Sequence, residues 1–444
     1  MGRLNFGMLM FPIHNPAHDP TLQLDQDIAL AEHADRLGFD EFWFGEHHSG
    51  GWQIIADPLL MVARAAATTR RIRLGSGVST LAYHHPKLLL ESAIQLDHMT
   101  RGRFMFGVGA GALALDSLMM GQDPMAARAA MEESMEAMML LLRGDGPVTY
   151  TPQHADWRLV DAYLQLRPFS EALDIRVAVF NSASGPRLAG RWGLGMLSFG
   201  ASAAVGLGRE NRMALAVEKA QCKADEHGQV LDRRRWSAMS PIHIAPTEAQ
   251  AREEVRFGLS GYIDYIRQIL PMNVPVDSDV DRIVDTLHLA GHGVVGTPEM
   301  AVRHIERLVE LSGGIGTFLI EHAGWAGFEH SKASMELFAR EVAPHFSGST
   351  RARKEAHSRE LLHDQLTRRT MAKAQAAADL RHSREVGARR RASVPAMAAP
   401  LPGDPEPLSA AGIQAFSAPP PASAGMPGRL KSLWNRAGTW AGGC

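Results

Sequence analysis

The chain has 444 residues, of which 45% are apolar, and its 46 Lys and Arg residues nearly balance its 48 Asp and Glu residues. This length allows one large domain or two to three ordinary ones, and the apolar share is sufficient for a sizeable core. The near-neutral charge does not favour a protein that binds nucleic acid or an acidic membrane surface.

The location of the protein is predicted from features that the sequence lacks. Cys222 and Cys444 lie in unrelated contexts and predict neither a disulfide framework nor a metal site, which is typical of the reducing cytoplasm. The first residues lack the basic, apolar and cleavage regions of a signal peptide. No segment has the roughly 18 consecutive apolar residues that a membrane-spanning helix needs. We therefore expect a cytoplasmic protein with no membrane partner.

Predicted strands and helices alternate along residues 4–346. Short apolar runs predict strands at residues 5–11, 41–45, 72–77, 104–108, 176–180, 195–198, 237–244 and 317–321. Apolar residues at helical spacing predict helices at residues 22–37, 58–67, 86–99, 124–142, 185–192, 209–227, 247–268, 298–311 and 331–342. Eight such units require parallel pairing and right-handed crossovers, which predicts a (β/α)8 TIM barrel rather than a doubly wound sheet.

Two segments are predicted as insertions in this barrel. Residues 148–166 alternate between strand-like and turn residues and predict a small hairpin. Residues 271–296 are rich in Pro, Asp and Gly and poorly periodic, so they predict an irregular excursion.

Residues 348–444 differ in composition from the rest of the chain. Basic residues, which culminate in Arg389-Arg390-Arg391, precede a stretch dominated by Pro, Ala and Ser. Residues 360–385 predict one solvated helix, whereas residues 392–428 have too few apolar residues to order themselves. We expect a barrel domain at residues 1–347 and a mostly disordered C-terminal extension at residues 348–444.

A group of ionisable residues follows the second predicted strand, where barrel enzymes place groups that do chemistry. Neighbouring side chains at a strand end point in different directions, so one of His47 and His48 is expected to face the mouth of the barrel. A His there exchanges a proton near neutral pH, and the adjacent Glu46 would fix its tautomer or charge. A hydrogen-bonded structural pair is the alternative. A metal site is not predicted, because adjacent His residues lack helical spacing and no third ligand is evident.

Glycines close the third and fourth predicted strands, in Gly75-Ser76-Gly77 and in Gly107-Val108-Gly109-Ala110-Gly111. Glycine lets a flat ligand approach the backbone closely, although it is also common at strand ends without a ligand. The second run fails the GxGxxG pattern because the third glycine is absent, so a dinucleotide site is not predicted.

A Ser-rich segment, Asn181-Ser182-Ala183-Ser184-Gly185-Pro186, follows the fifth predicted strand and opens a helix. Proline is favoured in the first helical turn, where the free N–H groups and the helix dipole attract anions. The segment therefore predicts an anion site. Ordinary capping of the helix by Ser184 is the alternative.

Five motifs together resemble the bacterial luciferase-like flavin monooxygenases in order and spacing. They are GEHHSGGW (45–52), RIRLGSGVSTLAYHHP (71–86), LDHMTRGRFMFGVGAG (96–111), VFNSASGPRLAGRWGLGMLS (179–198) and VVGTPEMAVRHIERL (294–308). The resemblance covers about residues 4–346. Within that family, the first two motifs are most similar to the limonene monooxygenase branch.

The resemblance implies a TIM-barrel enzyme, a homodimer, that binds FMN reduced by a separate NAD(P)H-dependent flavin reductase. It implies a reaction with O2 through a flavin hydroperoxide that transfers one oxygen atom to a small apolar organic substrate. Epoxidation of a limonene-like monoterpene alkene is the favoured reaction. The rival interpretations are a deazaflavin-dependent hydride-transfer oxidoreductase and a non-catalytic flavin-binding subunit of the same fold.

The resemblance also implies roles for individual residues. His47 corresponds to the catalytic His of the family and follows Glu46, and Gly77-Val78 corresponds to a cis peptide that lies against the flavin ring. The residues expected to bind the cofactor are Gly77, Val78, Gly109, Asn181, Ser182, Ser184 and Gly185. The residues expected to line the substrate pocket are Met8, Trp52, Tyr83, His84, Leu113 and Phe199.

Two departures from the luciferases limit what the resemblance implies. Luciferases place an Arg where this chain has Ala110, so phosphate binding depends here on the helix start, aided by Arg187. The reactive Cys of luciferase is replaced by Gly109. Light emission is therefore not expected.

Overall fold

The computed structural model describes residues 3–11, 13–180, 182–199, 212–269 and 279–393. These residues fall into two compact units that divide between Thr350 and Arg351. Among the described residues, no helix combines the length and the apolar character that crossing a lipid bilayer requires.

The first unit contains eleven strands among its described residues. They are β1 (Asn5–Met10), β2 (Glu41–Phe44), β3 (Arg73–Thr80), β4 (Phe104–Gly109), β5 (Val148–Tyr150), β6 (Leu159–Ala162), β7 (Ile175–Val179), β8 (Gly195–Ser198), β9 (Trp236–Ile244), β10 (Val294–Gly296) and β11 (Thr317–His322). Eight of them, β1 to β4, β7 to β9 and β11, pair in parallel, and the pairing of β11 with β1 closes the barrel. The predicted TIM barrel is thus confirmed, and β5 and β6 form the predicted antiparallel hairpin.

The described residues form fourteen α-helices, of which the thirteen in the first unit surround the barrel, as expected for this fold. They are α1 (Pro20–Leu37), α2 (Pro58–Thr68), α3 (Pro86–Thr100), α4 (Ala114–Met119), α5 (Ala127–Arg143), α6 (Ser184–Trp192), α7 (Arg212–Glu226), α8 (Glu248–Val255), α9 (Leu259–Ile269), α10 (Val280–Ala290), α11 (Pro298–Ser312), α12 (Phe328–Leu337), α13 (Ala343–Ser347) and α14 (Arg351–Ala392). Local signals start several of them: Asp19 and Asp57 accept hydrogen bonds from backbone N–H groups in the first turns of α1 and α2.

The prediction for the last insertion is wrong over its second half. Residues 280–290 form α10, and residues 294–296 form β10. This strand pairs in parallel with the last residues of β9. Asp279 caps α10, and Val280, Ile283 and Val284 are buried on one face. These apolar residues recur at helical spacing, but the Asp residues between them led the segment to be interpreted as irregular. Residues 271–278 of the predicted excursion lie outside the described part of the chain.

The interior of the barrel is filled by side chains that alternate with those of an outer layer under the helices. Six fully buried residues form the inner cluster: Leu9, Trp43, Met105, Leu197, Met239 and Leu319. Gly75 lies on β3 and Gly107 on β4. A Cβ atom on Gly75 would overlap the Trp43 ring. These glycines therefore make room for Trp43, which plugs the barrel.

A buried ionic network closes the end of the barrel at which the strands begin. Arg176 Nη2 lies 3.0 Å from Glu41 Oε1 and 3.0 Å from Asp174 Oδ2. The Trp43 indole N–H donates to Glu41 Oε2 over 3.1 Å, and the Arg176 guanidinium lies 5.2 Å from the Trp43 ring centroid. Burial alone would raise the pKa of Asp174, but Arg176 and the neighbouring Arg73 hold it well below its usual range.

The second unit includes the single long helix α14, and none of its described residues is buried. The sequence predicted a solvated helix at residues 360–385, and the observed helix contains that range. Residues 394–444, which include most of the segment predicted to lack order, lie outside the described residues.

Candidate active site

His47 lies in the loop after β2 and forms a pair with Asp116 of α4. His47 Nδ1 is 3.1 Å from Asp116 Oδ2, and the Ser49 hydroxyl donates to the other carboxylate oxygen. The backbone N–H of His47 donates to the carbonyl of Ile55 over 3.1 Å, which fixes the loop. Because the carboxylate accepts from Nδ1–H, the imidazole presents Nε2 as its free nitrogen.

Asp116 is the carboxylate that sequence analysis missed at this site. Its side chain is 3% exposed. Burial alone would raise the pKa of Asp116, but hydrogen bonds from His47 and Ser49 hold it below the usual value. Asp116 therefore remains ionised and able to orient His47. The sequence does contain a signal, an isolated acid among the apolar residues that follow the glycines of β4.

Glu46 makes different contacts from those expected, because it binds His48 and His84 rather than His47. Its Oε1 lies 3.1 Å from Nε2 of both imidazoles, and its Oε2 accepts from the backbone N–H of Thr80 over 3.0 Å. Burial alone would raise the pKa of Glu46, but the two imidazoles lower it. The hydrogen bond to Glu46 raises the pKa of His48 against the effect of burial. Glu46 thus ties the loop after β2 to the loop after β3.

The ends of β3 and β4 form the floor of the barrel mouth. The Gly77-Val78 peptide bond is cis. A Cβ atom on Gly109 would lie 2.7 Å from Val78 Cγ2, so the glycine lets the Val78 side chain pack directly against β4. Val78, Phe11 and Phe199 pack partly buried on the inner cluster. The floor is therefore apolar.

The start of α6 offers unshielded backbone N–H groups. Ala183 occupies the capping position, no side chain caps the helix, and its first turn carries no acid. The Ser182 and Ser184 hydroxyls lie 2.8 Å apart. Capping by Ser184, the alternative left open by the sequence, does not occur, because Ser184 is already helical. The predicted contribution of Asn181 lies outside the described residues.

Gly185 has a packing role in the same segment. A Cβ atom on Gly185 would overlap the carbonyl oxygen of Ala178 in β7. The absence of a side chain lets α6 approach β7 closely, so this glycine is required by the fold whether or not a ligand is bound.

Trp52 lies at the mouth against α9. Its ring centroid is 5.6 Å from that of Tyr265, and Gln53 Nε2 donates to the Tyr265 hydroxyl over 2.7 Å. A Cβ atom on Gly261 would lie 3.2 Å from the Trp52 ring, so α9 packs directly on the indole. No sequence motif predicted that α9 forms a wall of the site.

Three other predicted wall residues lie near α4. The Tyr83 hydroxyl is 3.1 Å from Ser117 Oγ, and its ring meets the edge of His48 at 5.8 Å between centroids. His84 is partly exposed and hydrogen-bonded to Glu46. Leu113 directly precedes α4 and is buried.

The prediction for Met8 needs correction, because its side chain points away from the mouth. Met8 pairs in register with Phe42 of β2 and Ile320 of β11, and all three belong to the outer layer under the helices. The next residue, Leu9, points inward. Strand alternation places Met8 and Leu9 on opposite faces of the sheet. Phe199, by contrast, does pack on the inner cluster.

Comparisons with known proteins agree with the motifs. Residues 4–314 match the model of the luciferase-like monooxygenase family. The chain is 44% identical over 348 residues to limonene 1,2-monooxygenase of Rhodococcus erythropolis, covering 78% of this chain and 88% of that protein. It is 40% identical over 353 residues to 4-hydroxyprotoasukamycin monooxygenase of Streptomyces nodosus subsp. asukaensis, covering 79% of this chain and 94% of that protein.

A solved structure with the same fold is the oxygenating constituent of 3,6-diketocamphane monooxygenase from Pseudomonas putida in complex with FMN. It aligns with a TM-score of 0.63 and 26% identity, covering 77% of this chain and 98% of that chain. The resemblance predicted from the five motifs is confirmed at the level of the family, and the limonene enzyme supports the narrower branch.

Proposed function

We propose, because this chain belongs to the luciferase-like monooxygenase family, that it uses FMN reduced by a separate NAD(P)H-dependent reductase, together with O2, to oxygenate a small apolar molecule. Flavin-dependent monooxygenation follows from the family and from the similarity to named monooxygenases. The observation that carries the finer proposal is the His47–Asp116 pair beside an apolar, glycine-bearing floor.

The residues of the mouth fit FMN in two places. The uncapped start of α6, with the Ser182 and Ser184 hydroxyls, suits a phosphate group. The apolar surface of the floor at Val78 suits one face of a flat ring. We assign the phosphate to the first of these surfaces and the isoalloxazine ring to the second.

His47 is assigned the role of moving a proton at the reacting centre. Its Nδ1 is engaged by Asp116, so Nε2 is the atom that holds or transfers the proton. Asp116 acts through His47 and is a positioning residue. When bound, reduced flavin supplies the electrons that activate O2.

The apolar floor excludes water from this chemistry. Phe11, Val78 and Phe199 surround the mouth with hydrocarbon, which limits the loss of activated oxygen as hydrogen peroxide. The favoured substrate is a limonene-like monoterpene alkene and the favoured reaction is its epoxidation, on the strength of the likeness to the limonene enzyme. Trp52, Tyr83 and Leu113 remain candidates for the wall that contacts it.

The proposal is tested by mixing the purified protein with chemically reduced FMN, O2 and a panel of limonene, other alkenes and ketones. We expect an oxygenated limonene, identified by mass spectrometry, in an amount that depends on the protein. Turnover with a reduced deazaflavin and none with reduced FMN would show that the hydride-transfer rival is correct. Flavin binding in a fluorescence titration without turnover of any compound in the panel would favour the non-catalytic flavin-binding subunit.

The homodimer is proposed from the same family resemblance. Sedimentation equilibrium of the full chain is expected to give twice the chain mass of 48.3 kDa. A monomer that binds FMN and oxygenates limonene would contradict the dimer alone.

A further inference from the structure

Glu321 occupies an inward-facing position at the mouth end of β11. Two residues earlier, Leu319 belongs to the inner cluster, so strand alternation directs Glu321 inward as well. In register, Glu321 pairs with Leu9 of β1 and with Pro241 of β9. No residue role assigned above involves this carboxyl group.

Glu321 and His47 belong to the same end of the barrel. Phe11 connects them: its backbone N–H donates to the carbonyl of His322 over 3.1 Å, and its ring meets the His47 ring at 6.2 Å between centroids. Phe11 thus lies against the His47 ring and is hydrogen-bonded to the backbone of the residue that follows Glu321.

The carboxyl group of Glu321 has one described hydrogen-bond partner. The Tyr262 hydroxyl, on α9, donates to Glu321 Oε1 over 3.4 Å. Within the described ranges, no Lys or Arg forms an ion pair with Glu321. Burial raises the pKa of Glu321 to about 7, and Tyr262 opposes this rise.

The neighbouring imidazoles do not supply a compensating charge. Burial lowers the pKa of His322 to about 4, aided by repulsion from His243 and His14, so His322 is neutral at neutral pH. His243 is paired with Glu254 at 2.7 Å, and His14 with Asp27 at 2.9 Å.

We propose that the Glu321 carboxyl group is a second proton donor of the mouth, which gives its proton to the oxygen atom that leaves as water. The inference rests on the proposed monooxygenation. It assigns to Glu321 a role distinct from that of His47, whose proton is governed by Asp116.

The proton balance of the reaction requires one proton that the flavin does not supply. For each O2, one oxygen atom bonds to the substrate and the other leaves as water, which requires two electrons and two protons. Both electrons and one proton come from the anionic reduced flavin. The second proton comes from Glu321, whose O–H bond breaks as the new O–H bond of water forms. The resulting carboxylate is reprotonated from solvent through the open mouth.

The first experiment observes Glu321 without any ligand. Infrared difference spectra of the full protein are expected to contain a protonated-carboxyl band that disappears as pH rises from about 6 to about 8. Glu321→Gln should lack this band. Glu310→Gln, an exposed carboxyl in the last turn of α11 at the opposite end of the barrel, should retain it. Absence of the band in the wild type at the lower pH would overturn the proposal.

Tyr262→Phe provides a second variant with a defined direction. Because the Tyr262 hydroxyl lowers the pKa of Glu321, its removal should move the loss of the band to higher pH. A shift to lower pH would contradict the arrangement described here.

The second experiment follows coupling, the ratio of oxygenated limonene to reduced FMN consumed. In the wild type and in Glu310→Gln, coupling should fall as pH rises through about 7. In Glu321→Gln it should be at least about tenfold lower and independent of pH over this range. Unchanged coupling and an unchanged pH profile in Glu321→Gln, with product formed by the wild type, overturn this inference alone. Absence of product in the wild type overturns the proposed function and this inference with it.

Discussion

At the scale of single residues, the site depends on which carboxylate each imidazole meets. His47 and His48 are adjacent in the chain, yet His47 binds Asp116 and His48 binds Glu46. Only the Asp116 contact leaves an imidazole beside the apolar floor. The exposure of the His47 side chain, 13%, is compatible with contact to a bound ligand.

Replacement of Asp116 by Asn should impair His47 without removing it. The amide no longer accepts reliably from Nδ1–H, so the imidazole loses its fixed tautomer, and the rate of oxygenation should fall by roughly 100-fold or more. Oxidised FMN should bind with unchanged affinity in a fluorescence titration. Asp145→Asn, an exposed Asp after α5, is the matched control. Wild-type rates in Asp116→Asn would rule out a positioning role.

His47→Ala tests the proton-moving role directly. FMN binding should be preserved, while more of the reduced flavin should be lost as hydrogen peroxide, measured by a peroxidase-coupled assay. We expect peroxide yield to increase several-fold and oxygenated product to fall correspondingly. Normal oxygenation by this variant would show that the role belongs to another residue.

The roles of Asp116 and α9 were not predictable from the sequence because they depend on distant contacts. Asp116 is 69 residues from His47 in the chain, and Tyr265 is 212 residues from Gln53. Local patterns contain no information on such pairs until the barrel is closed. The motif His and the Ser-rich helix start were predictable, since each follows directly from a strand end.

At the scale of elements, most helices and strands were predictable because strong local signals bound them. Pro20 and Pro58 begin helices and Gly38 ends one with a φ of 84°. The single helix predicted at residues 247–268 is instead divided into α8 and α9. Gly258 donates to the carbonyl of Trp325 over 2.9 Å between them. The boundary therefore lies at Gly258, where the glycine lets the chain approach a remote loop closely.

Gly185→Ala should destabilise the junction between α6 and β7. The added methyl group would overlap the carbonyl oxygen of Ala178, and backbone atoms cannot move aside as a side chain can. We expect a loss of about 1–3 kcal/mol in the free energy of unfolding, measured by urea denaturation. Gly387→Ala in α14, where no atom lies within 4 Å of the added methyl group, is the control and should cause no loss. A Gly185→Ala protein as stable as the wild type would contradict the close packing described here.

At the scale of the whole molecule, the two ends of the barrel have different purposes. The mouth end carries the proposed chemistry, whereas the other end holds the buried Arg176, Glu41 and Asp174 network. Removing one partner of a buried ion pair destabilises the folded protein, because the other charge then stays buried without compensation.

Arg176→Ala should therefore be strongly destabilising. It leaves the buried Glu41 without its Arg partner and removes the guanidinium from the Trp43 ring, whereas Asp174 keeps its ion pairs with Arg73 and Arg235. The expected loss is about 3–5 kcal/mol in chemical denaturation. Arg234→Ala, whose side chain is 89% exposed beside Asp232, should cause no measurable loss of stability, because solvent screens an exposed ion pair. Equal effects of the two substitutions would show that the network does not stabilise the barrel.

We propose from its composition that the C-terminal extension can be deleted without destabilising the barrel. None of the described residues of α14 is buried. Deletion of residues 351–444 should shift the thermal unfolding midpoint by less than about 2 °C. Coupling to the flavin reductase should be measured in the same protein, and a decrease would identify the extension as a docking element rather than a solvated appendage.

Trp43 has a consequence for the order of events in turnover. Because this side chain and its neighbours fill the inside of the barrel, the mouth serves as both entrance and exit. Under the proposed function, flavin, substrate and product would use this one opening. With the flavin bound deeper than the substrate, an excess of the organic substrate is then expected to delay the exchange of spent flavin.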